Sequence, residues 1–223
     1  IMVQHPGMEH WLSMALAEHP ERLVAMNLTY PLPIAQMWSL IRAILGSERV
    51  PEQSPYGREV MVWRLYELLA SHRVLEDDAF AEPNRYWQHQ SKRQQSLRRF
   101  ELAEQLADVF EQYLMYRPDW LERWDQGGEA HWQAQLWRLL AEDEPDHPVR
   151  LLRDAESRIA RPQEPLPERL FIFGINSLAP LWLDFIKGLS EHGGVDFHIF
   201  CLNPSDEYWG DLVSEKQAAR QRA

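Results

Sequence analysis

Cys201 is the chain's one cysteine, which excludes an internal disulfide framework and fits a reducing compartment. No run approaches the roughly 20 apolar residues of a membrane span. Residues 1–12 also lack the basic stretch and apolar block that open a secretory signal. These absences lead us to expect a cytoplasmic protein. Positive charge is scarce too: 23 Lys and Arg stand against 34 Asp and Glu, a formal charge of −11. Non-specific duplex binding draws its affinity from cations that release counterions, so this balance argues against a general DNA coat. A narrow DNA channel stays open, because screening beyond about 10 Å makes local charge count for more than the total.

Catalytic signatures are equally scarce. A phosphate-gripping loop needs glycines followed by Lys-Ser/Thr at a strand–helix corner; here Lys187-Gly188 has the wrong order and falls inside a crossover region. A Mg²⁺-binding acid should end a central strand, yet the strand candidates run into Gly174-Ile-Asn-Ser177 and Asn203-Pro204, with Asp206-Glu207 following too late. The same Gly174 run is no nucleophile elbow, since no glycine stands two residues after the serine. His5/His10 and His192/His198 lack zinc-ligand spacing. The acids Glu76-Asp-Asp78 and Glu142-Asp-Glu144 read as solvated loops rather than a nuclease cluster. We therefore expect no catalytic centre, no metal and no cofactor on this chain.

What the sequence does have is tryptophan, ten in 223 residues, most expected as core anchors and a few as stacking surfaces at strand ends. Two early runs, Ile1-Met-Val-Gln-His-Pro-Gly-Met-Glu-His-Trp-Leu12 and Asn27-Leu-Thr-Tyr-Pro-Leu-Pro-Ile-Ala-Gln-Met-Trp38, each read as strand, Gly/Pro corner and amphipathic helix. Residues 1–4 and 22–28 are the strand candidates. Pro33 suits the first turn of the second helix and Gly46 its stop. A loop over 46–56 and a helix from 58 to about 72 follow. From about 75 to 160 the periodicity is helical, clearest over 95–116, then over 119–124 and 131–141. Arg161-Pro-Gln-Glu-Pro-Leu-Pro167 is a stiff linker.

Beyond it, Leu170-Phe-Ile-Phe-Gly174 has the continuous apolar character of a central parallel strand. With a helix over 178–190 and a strand over 195–202 it makes a βαβ unit. The expected fold is thus α/β: residues 1–75 and 165–223 share one parallel sheet, and a large all-α insertion fills 76–164. The start without an initiator Met and the helical pattern still running at Glu215-Lys-Gln-Ala-Ala-Arg-Gln-Arg-Ala223 suggest a piece of something longer.

Two basic clusters stand out, Lys92-Arg93 with Arg98-Arg99, and Arg150, Arg153, Arg158 and Arg161. Each reads either as helix surface balanced by nearby acids or as a contact for DNA phosphates or an acidic partner.

Several runs carry a resemblance. They are Val3-Gln-His-Pro-Gly-Met8 with Trp11-Leu12, Pro31-Leu-Pro33 with Trp38, and Ala107-Asp-Val-Phe-Glu-Gln-Tyr113. Met115-Tyr-Arg-Pro-Asp-Trp120 and Trp132-Gln-Ala with Leu136-Trp137 continue the series. Leu166-Pro-Glu-Arg-Leu-Phe-Ile-Phe-Gly-Ile175 and Leu202-Asn-Pro with Tyr208-Trp-Gly-Asp211 complete it. In this order they resemble the amino-terminal region of the gamma chain (RecC) family of bacterial exodeoxyribonuclease V, the RecBCD recombination-repair machine.

The resemblance implies a superfamily-1, P-loop-type helicase scaffold whose ATPase motifs have decayed. ATP and Mg²⁺ would be used by the partner beta (RecB) and alpha (RecD) chains. It also implies a non-catalytic subunit that scans single-stranded DNA for the Chi sequence during double-strand break repair. Carried over by motif, the DNA-contacting candidates are Gln4, Leu32, Trp38, Asp108, Val109, Glu111, Gln112 and Arg117. Gln4 would bond a base edge, Trp38 would stack on an unpaired base, and Arg117 would take phosphate or guanine. Asp108, Glu111 and Gln112 share one helical face. His5-Pro6 replaces the family's usual small polar pair, implying a Chi preference that is altered or lost. The alternatives are an active helicase domain with its P-loop outside the fragment, and a structural adaptor that never touches DNA.

Overall fold

The first corner forms from a proline and a histidine. Strand β1 (Met2–Val3) is followed by α1 (Pro6–Ala17), whose cap is His5: its Nδ1 accepts the Gly7 N–H at 2.9 Å. Pro6 sits in the first turn, where a missing N–H leaves no bond unmade. Helix α2 (Pro33–Leu45) repeats the device with Pro33 and stops at Gly46, whose φ of 93° favours glycine.

The helical stretch follows as α3 (Arg58–Leu68), α4 (His72–Leu75), a 3-10 turn (Asp78–Phe80), α5 (Ala81–Gln88), α6 (Lys92–Tyr116), α7 (Pro118–Asp125), α8 (Trp132–Asp143) and α9 (Pro148–Arg158). A βαβ unit closes the order with β2 (Arg169–Phe173), α10 (Pro180–His192) and β3 (Asp196–Phe200). The structure is a computed structural model that describes residues 1–21, 24–88 and 91–202. The Tyr208 motif and Asp206-Glu207 lie outside the described residues, as do the chain's last residues.

Among the described residues there is one sheet, of three parallel strands in the order β1-β2-β3, with Met2 opposite Ile172 and Phe173 opposite Phe200. This corrects the expected fold class. Three short strands beside a largely helical chain do not make a helicase-like, P-loop-type α/β domain.

The expected strand over 22–28 shows why. Residues 24–28 have no regular structure; Val24 and Met26 are 60% and 70% exposed, and Asn27 adopts a left-handed φ of 56°. Apolar residues that face water gain nothing from pairing, and a left-handed residue interrupts an extended run. Beside β1 lie instead residues 29–31, whose Thr29 and Pro31 carbonyls accept from the Ile1 and Val3 nitrogens at 2.9 and 3.3 Å. Pro31 and Pro33 have no N–H to return, so the contact cannot propagate into a ladder.

Apolar side chains gather in two clusters. In one, alternate strand residues Met2, Leu170 and Ile172 meet Met37, Leu40, Ile41 and Ile44 of α2, Leu151 and Leu152 of α9, and Phe185 and Leu189 of α10. The period of two sends Phe171 and Phe173 to the opposite face, where Phe173 stacks on Trp11 of α1 at 6.0 Å. In the other cluster, Phe110 of α6, Trp124 of α7 and Trp137 of α8 are fully buried among Met61, Leu65, Leu106 and Leu136.

A polar seam runs between the clusters. Buried His147 bonds Asp125 at 2.7 Å, and Trp137 Nε1 donates to the same carboxylate at 3.0 Å. Arg49, in the loop after α2, reaches Asp146 at 2.9 Å and Asp154 at 2.6 Å.

Candidate nucleic-acid interface

Where the two clusters meet, the surface opens into a groove of about 750 Å³, within the size range of ligand sites. The first corner contributes Gln4, the second corner and α2 contribute Leu32, Ile34 and Trp38, and the start of α3 adds Arg58 and Val60. Glu111 and Met115 of α6 form one wall, and Leu178, Leu181 and Trp182 at the start of α10 another. Tyr56 forms part of the lining; its hydroxyl donates to the Glu144 carbonyl at 2.5 Å, and burial pushes its pKa up to about 12, so it stays neutral.

Of the sequence-derived candidates, Gln4, Leu32, Trp38 and Glu111 line this groove. Trp38 is half-buried against the sheet cluster, and its Nε1 donates to the Pro51 carbonyl at 2.9 Å. That bond fixes the indole plane while leaving part of the ring in the groove. Leu32 is 42% exposed and Gln4 is exposed.

The other four candidates sit outside the lining. Asp108 pairs with Arg58, whose hydrogen bond and charge hold the carboxyl below the usual carboxylate range. The ion pair therefore sets the position of a cation that does line the groove. Val109 is half-buried and Gln112 exposed on α6. Arg117 grips Asp119 through two bonds of 3.1 and 3.0 Å, with its guanidinium 3.8 Å from the Trp120 ring centroid. To meet DNA it must leave Asp119.

Two lining residues are absent from the motif-derived candidates: periodicity places Arg58 only at the start of a helix, and Trp182 only within the crossover helix. The signal for Trp182 is present: β2 running into α10 makes a second strand-to-helix corner at the same end of the sheet as the first. Its Nε1 is buried with no hydrogen-bond partner, a donor that a ligand acceptor could satisfy.

The groove's charge is lopsided. Glu52, Glu59 and Glu111 line it with Arg58 as the cation. Carboxylates repel phosphate and accept from base amino groups, so the arrangement suits bases better than a sugar–phosphate chain. A second, apolar pocket of about 660 Å³ lies at the sheet's end between Met8, Trp11, Phe173, Phe200 and Leu202. Among the described residues no group of His, Cys, Asp and Glu could hold a metal ion, and no helix is long and apolar enough to cross a membrane.

The family described as RecC, N-terminal domain, matches residues 1–223, the entire chain. The chain belongs to the RecC family. The RecBCD enzyme subunit RecC of Escherichia coli K12 is 34% identical over 239 residues, covering 99% of the chain and 20% of that protein. Its counterpart in Haemophilus influenzae is 31% identical, covering 95% of the chain and 21% of the relative. That of Mycolicibacterium smegmatis is 26% identical, covering 97% and 19%. The chain thus spans about one fifth of the length of these RecC proteins.

Proposed function

We propose that this chain is the DNA-handling amino-terminal part of a RecC-type subunit, working in the bacterial cytoplasm with RecB- and RecD-type partners in recombinational repair of double-strand breaks. Its groove seats unpaired bases of a single strand and reads them for a Chi-like sequence. The chain itself carries out no chemistry; ATP and Mg²⁺ turnover belong to the partners.

One observation carries this reading. Gln4, Leu32, Trp38 and Glu111, far apart in sequence, line one groove. Within it an indole can stack on a base, worth about 1–3 kcal/mol, while Gln4 and Glu111 offer amide and carboxylate groups to base edges. Asp108 behind Arg58, together with Val109, Gln112 and Arg117, flanks this groove as an outer contact. The motor alternative loses its scaffold with the correction of the fold.

The test is photocrosslinking. A single strand carrying photoreactive bases is irradiated with the full-length protein in its native complex, and adducts are mapped. Adducts on residues 1–40 and 105–120 are expected. Adducts confined to other regions would leave the chain as a structural adaptor.

A further inference from the structure

We propose that a second nucleic-acid contact lies on the helical cluster, at the corner where the N-terminal half of α6 meets α5 and α3, and that it takes the phosphates of the single strand as it leaves the groove. The patch is argued from its own charge and ring geometry; only its place on the strand's path rests on the groove reading.

Between Arg85 and Arg99 the sequence carries five cations and neither Asp nor Glu, in a chain whose net charge is −11. Arg98 of this segment is spent on Glu101 at 3.1 Å. In the other basic cluster Arg153 is spent on Glu122 at 2.8 Å and Glu156 at 3.1 Å, and Arg150 lies 3.9 Å from Asp125, while Arg158 and Arg161 are exposed without an ion pair among the described residues. What sets the first segment apart is the aromatic surface beside its free cations. Arg85, Lys92 and Arg93 are exposed and form no ion pair among the described residues. Unpaired surface cations of this kind neutralise phosphates and release the counterions condensed on the nucleic acid.

The cations flank an aromatic surface. Trp63 is 60% exposed and packs on Phe100 at 5.4 Å and Tyr66 at 5.9 Å. Arg99 packs beside this group, its guanidinium carbon 4.0 Å from the Tyr66 ring centroid. A tryptophan held by two rings on a helix, with most of its own surface in water, offers a face for base stacking.

Continuity with the groove follows from helical spacing. Val60 lines the groove, and Trp63 stands one turn further along α3. Glu59 and Glu67, one turn to either side of Trp63 on α3, repel phosphate. The strand must therefore lie with bases toward α3 and phosphates toward Lys92 and Arg93 at the start of α6.

The test uses the full-length protein in its native complex, titrated with a fluorescein-labelled oligothymidylate at salt concentrations from about 50 to 200 mM. The triple variant Arg85→Gln/Lys92→Gln/Arg93→Gln changes only exposed side chains. It should weaken binding and flatten the slope of log affinity against log salt by about 2, at roughly 0.7 per lost phosphate contact on a single strand. Trp63→Leu should weaken binding by about 5- to 150-fold with the slope kept.

An unchanged slope in the triple variant, or an unchanged affinity in Trp63→Leu, overturns the proposal. So does a triple variant that binds DNA normally but no longer assembles with its partners, which would make the patch a protein interface. Trp38→Ala separates the two readings. If it has no effect while the patch variants do, the groove reading fails and the patch stands; the reverse pattern removes the patch alone.

Discussion

Trp38 shows how one side chain serves packing and surface together. Its spacing with Ile34 and Ile41 on α2 fits a core residue and a DNA platform equally well, and the structure gives it both environments: packing on the sheet cluster and a place in the groove. The Nε1 bond to Pro51 orients the ring. Trp38→Ala is expected to lower single-strand affinity by about 1–3 kcal/mol, whereas Trp38→Phe should recover most of it, as measured by fluorescence anisotropy with folding checked by circular dichroism. Arg117 illustrates what a motif conceals. Its side chain points to guanine or phosphate in isolation, but two residues on stands Asp119, and the pair closes locally.

Among the elements, those marked by their own end signals were legible. Pro33 and Gly46 bracket α2 and Pro118 opens α7, because a fixed φ or a free one acts without any distant partner. The turn after β2 is a sharper case. Gly174 has φ +62°, and an added Cβ would come 2.6 Å from the methyl carbon of Met8 on α1. Gly174→Ala should therefore cost about 2 kcal/mol, combining left-handed strain with displacement of Met8, seen as a melting temperature lower by about 4–8 °C. The segment over 24–28 was illegible for the opposite reason. Its apolar residues match a buried strand in type, yet nothing local reveals that Val24 and Met26 face water.

At the scale of the whole molecule, the seam between the two clusters sets the acid sensitivity. Burial raises the Asp125 carboxyl, but the His147 bond and charge, the Trp137 indole and Arg150 outweigh it, and the net pKa falls below the usual 3.8. Arg49 likewise depresses Asp146, chiefly through its hydrogen bond. A carboxyl depressed on folding contributes stability that is complete above its unfolded pKa and vanishes as pH falls through its folded value. Stability should thus hold from neutrality to about pH 5 and fall steeply below about pH 4. Urea melts across that range should show Asp125→Asn less stable at neutral pH and less acid-dependent; an unaltered pH profile would remove the seam from the explanation.

Residue order alone carried the resemblance to the RecC family and the approximate extents of α2, α6, α7, α8 and α10, since motifs, caps and periodicity are written within a few residues of one another. Tertiary structure alone decided that the sheet stops at three strands among the described residues, that Trp182 joins Trp38 and Glu111 around one groove, and which cations are spent and which are free. Pairing, burial and charge compensation depend on neighbours brought from as far as Arg49 is from Asp154, and such distances cannot be read along the chain.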